Sequence, residues 1–147
     1  MKNIIFLLFF VPLFSFGQEA YQWKNIEKIT FYDFSARDPN CEISSVDQIP
    51  KDIRSVNCNI PTWTAVLSKL TTNENDLLSE SCYLLVIKFK NGTRVPFQFF
   101  PRQKVIMDLR KDHWNSLSFK KEIHNKVDEL FKECSDCLKD PKCSESK

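Results

Sequence analysis

The chain has 147 residues, 21 basic and 19 acidic, with a net charge of +2, 42% hydrophobic and 27% charged residues. That is the composition of one ordinary globular domain and excludes disordered and collagen-like chains. Its two glycines, Gly17 and Gly92, are too few and too far apart for a P-loop, a dinucleotide-binding GxGxxG or a GxSxG nucleophile elbow, which need glycines at fixed short offsets.

The first 17 residues read as a signal peptide. Lys2 supplies the positive start, Ile4 to Leu13 is apolar apart from Pro12, and Ser15-Phe16-Gly17 ends on a small residue. The pattern is too short for a comfortable membrane span. No cysteine at the cut suggests a lipid anchor, and no later stretch reaches 18 apolar residues. The mature chain is therefore expected to be one domain over 18–147, with no transmembrane segment. The leader resembles those of bacterial exported proteins, so the product is placed in the periplasm or outside the cell.

Alternating apolar residues predict a strand over Ile26–Phe34. Residues 35–60, with Pro39, Pro50 and two cysteines, read as a long loop. Trp63, Val66, Leu67 and Leu70 recur at helical spacing after Pro61 and predict a short helix over 61–70. Tyr83–Lys90 and Thr93–Phe100 flank Asn91-Gly92 and predict a β-hairpin with a two-residue type I′ turn. In that register Lys88 faces Val95 and Val86 faces Phe97, so Leu84, Val86, Val95, Phe97 and Phe99 share the core face. Lys104–Leu109 completes a three-stranded meander. Leu117, Ile123, Val127, Leu130, Phe131 and Cys134 trace a helical stripe, predicting a helix from about Phe119 to Cys134 capped by Ser116 or Ser118. A polar tail follows from about 135. The fold class is α+β: an antiparallel sheet of the N-terminal strand plus the meander, with a short helix and a long C-terminal helix packed on one face.

Six cysteines, Cys41, Cys58, Cys82, Cys134, Cys137 and Cys143, remain after the leader. An even number in an exported chain points to disulfides. Six allow fifteen connectivities; proximity favours Cys41 with Cys58. Cys134-Ser-Asp-Cys137 has CxxC spacing, but it falls at the end of a predicted helix, where the dipole disfavours a thiolate, and Glu133 and Asp136 add negative charge. Its cysteines are expected to bond elsewhere and pin the helix end. Cys134, Cys137, Cys143 and His124 make a Cys3His set on paper, yet an exported chain would hold those thiols oxidised. No metal and no cofactor is expected. The two histidines, His113 and His124, have no nucleophile context, so the chain leans towards a non-catalytic role.

Charge is polarised along the chain. Between Tyr83 and Lys121 nine basic residues face two acidic ones, whereas residues 33–82 carry eight acidic and four basic. Lys88, Lys90, Arg94, Arg102 and Lys104 are the candidate surface for an anionic partner: a polysaccharide, a membrane surface or an acidic protein. The competing view is that lysines on an edge strand guard against sheet-to-sheet aggregation. Export argues against nucleic acid, and Phe97, Phe99 and Phe100 alternate as core residues do. Asn91-Gly92-Thr93 fits the N-glycosylation pattern, but the turn accounts for its first two residues. The expected function is an exported binding or interaction module: an inhibitor, adaptor or envelope component. The alternative is a periplasmic thiol-disulfide redox protein using the C-terminal CxxC.

Overall fold

The structure, a computed structural model, describes residues 21–36, 45–75, 81–111 and 116–143. The leader, Cys41 and His113 lie outside them. Seven strands form one antiparallel sheet: β1 (Ile26–Asp33), β2 (Ser55–Asn57), β3 (Leu70–Thr72), β4 (Tyr83–Phe89), β5 (Arg94–Phe100), β6 (Val105–Asp108) and β7 (Ser116–Phe119). Their order across the sheet is β2-β1-β4-β5-β6-β7-β3. Among the described residues two α-helices, α1 (Ile60–Leu67) and α2 (His124–Lys139), complete an α+β fold.

The four predicted strands occupy the middle of the sheet. The three others are short and gain their strand character from pairing rather than from pattern. β2 adds to β1, and β3 adds to β7 at the opposite edge. Both edges are therefore three-residue strands, which leaves little unpaired backbone to template aggregation.

One face of the sheet carries both helices. Asn59 caps α1, its Oδ1 accepting from the Thr62 amide at 3.0 Å and the Thr62 hydroxyl at 2.7 Å. Pro61 sits in the first turn, where a missing N–H costs nothing. Trp63, Val66 and Leu67 then meet Ile29, Phe31, Leu85, Ile87, Val95, Phe97 and Phe99. From α2 come Val127, Leu130, Cys134 and Leu138, an i, i+3, i+7, i+11 stripe. Sixteen residues make α2 about 24 Å long, and five strand spacings from β7 to β2 also span about 24 Å. The helix thus crosses the strands and brings its C-terminal half to the β2 edge. On the other face Phe34, Leu84 and Val86 are covered by Val46, Ile49 and Ile53 of the loop before β2.

Several sequence expectations are corrected. The helix predicted over 61–70 ends at Leu67 and Leu70 lies in β3; Leu117 and Phe119, read as helical, lie in β7; and Ser55–Asn57, inside the predicted loop, is β2. Ser116 and Ser118 lie in β7 and cap nothing; α2 follows a 3-10 turn at Lys121–Ile123. It continues to Lys139 instead of stopping at Cys134, because Leu138 extends the buried stripe by one turn. The hairpin register is shifted by one: Lys88 faces Arg94, Val86 faces Pro96 and Leu85 faces Phe97. Phe89 N–H donates to Thr93 O and Gly92 N–H to Phe89 O, both at 2.9 Å, so the loop holds three residues, with Gly92 at φ +88°. A one-residue slip moves every side chain of one strand to the other face. Leu85, Ile87 and Phe89 therefore join Val95, Phe97 and Phe99 under the helices, while Leu84 and Val86 face away.

Candidate binding surfaces

The corrected register creates a row of positive charge. Lys28 on β1 lies directly opposite Lys88 on β4, which lies directly opposite Arg94 on β5. Directly paired residues share a face and hold their Cβ atoms about 5 Å apart. Lys28 and Arg94 are exposed and Lys88 is half-buried. Lys90 extends the row at the hairpin tip. Its amide donates to Asn25 O at 2.8 Å, which sets it beside the turn bearing Lys24. Glu27 is the extra residue of a bulge between Ile26 and Lys28. The bulge re-aims its carboxylate, which meets Lys88 Nζ at 2.8 Å.

The five basic residues singled out from sequence are thus divided. Lys88, Lys90 and Arg94 gather at one end of β5. Arg102 and Lys104 sit in the turn at its other end, about 20 Å away along seven residues of strand. Arg102 is exposed. Lys104 is occupied: its Nζ lies 2.7 Å from Asp128 Oδ1 and donates to Pro101 O at 2.6 Å, fastening α2 to the turn. Lys24 and Lys28 were missed in the sequence because they lie some 60 positions before the hairpin. Only the pairing of β1 with β4 makes them neighbours.

The cysteines form a second feature. Cys137 is bonded to Cys143, with Cα atoms 5.2 Å apart. This bridge holds the turn after α2, so the tail is tied at least to Cys143. Cys82 is also disulfide-bonded. The expected Cys41–Cys58 bridge is corrected at its Cys58 end, where the sulfur faces α2: Cys58 Sγ and Cys134 Sγ are 3.1 Å apart, both buried. The Cys58 amide donates to Ile29 O at 2.9 Å, and Asn59, the cap of α1, follows directly. The Cys3His set does not assemble, since Cys137 and Cys143 are bonded to each other and His124 Nε2 is 2.8 Å from Phe119 O.

The Cys58–Cys134 pair lies in the floor of a groove of about 630 Å³ between the β2–α1 junction and the end of α2. Asn57, Trp63, Glu133, Asp136, Cys137 and Asp140 are among its other lining residues. Donating to Cys134, then burial and the neighbouring charges of Cys134 and Glu133, push the Cys58 thiol up. Accepting from Cys58 pulls Cys134 down; burial opposes this and the Trp63 indole supports it.

Among the described residues no helix is long and apolar enough to cross a membrane. No family model, curated protein or solved structure matches this chain, so its own geometry carries the functional reading.

Proposed function

We propose that the protein is an exported, non-catalytic binding module that takes an anionic partner on the sheet end bearing Lys24, Lys28, Lys88, Lys90 and Arg94. The observation that carries this is the Lys28–Lys88–Arg94 row. Like charges placed directly opposite one another destabilise a sheet, and two consecutive oppositions demand a compensating charge. Glu27 supplies it for Lys88. An anionic polymer or an acidic protein face laid along the row supplies the rest, and its approach is accelerated by the local field. Such attraction weakens as salt screens it.

The thiol-disulfide alternative finds less support in the placement of its cysteines. Cys134 and Cys137 do not face each other as a redox pair: one meets Cys58 and the other is bonded to Cys143.

Retention on immobilised heparin, used as a generic polyanion, tests the proposal. Lys28→Glu/Arg94→Glu removes the ends of the row and leaves the Lys88–Glu27 pair. Lys120→Glu/Lys121→Glu makes the same change of net charge elsewhere. The row variant is expected to elute at markedly lower salt and the control close to wild type. Equal shifts for both variants, or none for either, would reject the row as a site.

A further inference from the structure

We propose that Cys58 and Cys134 are a site of covalent modification: a disulfide clasp that fastens the C-terminal half of α2 to the β2–α1 junction across the floor of the groove. The sulfurs are already 3.1 Å apart; a bond of about 2.05 Å requires only about 1 Å of further approach. The two residues are 8% and 4% exposed, in a groove wide enough to admit a reacting thiol or disulfide. Neither sulfur has to leave its element. Cys58 is fixed between β2 and the Asn59 cap, and Cys134 points inward on the buried stripe of α2.

The chemistry balances with a disulfide as oxidant, for which oxidised glutathione is the probe. Cys134 Sγ, as thiolate, attacks one glutathione sulfur and releases a glutathione thiolate. Cys58 Sγ loses its proton to solvent and displaces the second glutathione thiolate from Cys134. Two protein thiols become one disulfide, and one oxidised glutathione becomes two reduced ones. Cys134 is written as the first attacker because its contacts with Cys58 and Trp63 pull its thiol down.

Burial separates this clasp from the Cys137–Cys143 bridge. Cys143 is exposed and Cys137 half-buried in the groove wall, so a mild reductant reaches that bridge first. The clasp lies deeper, at 8% and 4% exposure, and is reached more slowly.

Peptide mapping tests the proposal. The full chain is reduced, refolded with oxidised glutathione, alkylated and digested without reductant by trypsin and an Asp-specific endoproteinase. The latter cuts before Asp136 and so separates Cys134 from Cys137. A cross-linked peptide joining Cys58 to Cys134, lighter by two hydrogens than its free parts, is the expected product. Alkyl label on both Cys58 and Cys134, or either cysteine linked to another partner, overturns the proposal. In a second arm the native oxidised protein meets mild reductant with and without denaturant. The clasp is expected to survive in the native protein after Cys137–Cys143 has opened. Opening of the clasp first overturns its assignment as a buried fastening.

Discussion

The Tyr21 hydroxyl donates a hydrogen bond of 2.7 Å to Asp108 Oδ2 across 87 positions of sequence. Asp108 is the last residue of β6 and is 1% exposed. Arg110 closes on the same carboxylate, its Nε 3.0 Å from Oδ1 and its Nη2 2.8 Å from Oδ2. The Tyr21 ring stacks on Trp23 with centroids 4.8 Å apart and meets Phe97 edge-on at 5.2 Å. One buried carboxylate thereby moors the segment leading into β1 to the far side of the β4–β5 hairpin.

Tyr21→Phe keeps the ring contacts and removes the donor. A hydrogen bond to a charged group contributes about 2 kcal/mol, so the variant is expected to lose about that much stability. Urea denaturation of the two proteins measures it. An unchanged midpoint would mean that water replaces the hydroxyl without loss.

The same carboxylate sets an acid limit. Burial pushes the Asp108 carboxyl up, but the Arg110 and Tyr21 hydrogen bonds outweigh it and hold the group below the ordinary aspartate value. A depressed folded-state pKa contributes stability that is fully present above the unfolded value of about 3.9 and is lost as pH falls through the folded one. Wild type is therefore expected to lose stability below about pH 4, and Asp108→Asn to show a flatter profile there. Equal slopes in the two proteins would assign the acid sensitivity to other groups.

Gly92→Ala isolates a conformational cost. Gly92 has φ +88°, and a Cβ built there meets nothing within 4 Å. Steric room is available, so the penalty is that of the left-handed backbone alone, about 1 kcal/mol. Gly92→Asn, better tolerated at such φ, is expected to cost less. Thermal denaturation of both variants gives the comparison.

The positive row predicts a trade between stability and binding. Lys28→Glu relieves one like-charge opposition and places a carboxylate opposite Lys88. It is expected to stabilise the fold by about 0.5 kcal/mol at low salt, an effect that fades as salt is added. Weaker heparin retention accompanied by higher stability identifies charge kept for a partner. A loss of stability would show that Lys28 has a packing role.

The clasp has its own signature in stability. Cys58 and Cys134 are 76 positions apart, and closing a loop of that length stabilises by about 4 kcal/mol in the chain-entropy picture. Cys58→Ala/Cys134→Ala is expected to fall below the oxidised wild type by about that amount, plus a smaller packing loss. Reductant is expected to shrink the gap to the packing loss. A gap that ignores reductant would rule out a bond between the two sulfurs.

What the sequence determined by itself was local. Alternation named β1, apolar runs around Asn91-Gly92 and after it named β4, β5 and β6, and helical spacing named α1 and the buried stripe of α2. Each signal is contained within one segment, because a side chain's face follows from its own backbone period. The α+β class followed from the order of those segments. Tertiary structure decided the rest. Ser55–Asn57, Leu70–Thr72 and Ser116–Phe119 are strands only because neighbours offer them hydrogen bonds. Asn91-Gly92 suits a two-residue or a three-residue loop. The longer loop occurs here with Leu85, Ile87 and Phe89 on the same face as Val95, Phe97 and Phe99, where both helices need a continuous apolar floor. Cys58 meets Cys134, and Lys28 meets Lys88, because the sheet order and the crossing of α2 bring distant segments together. Such pairings depend on how the whole chain buries its apolar surface, and no single segment carries that information.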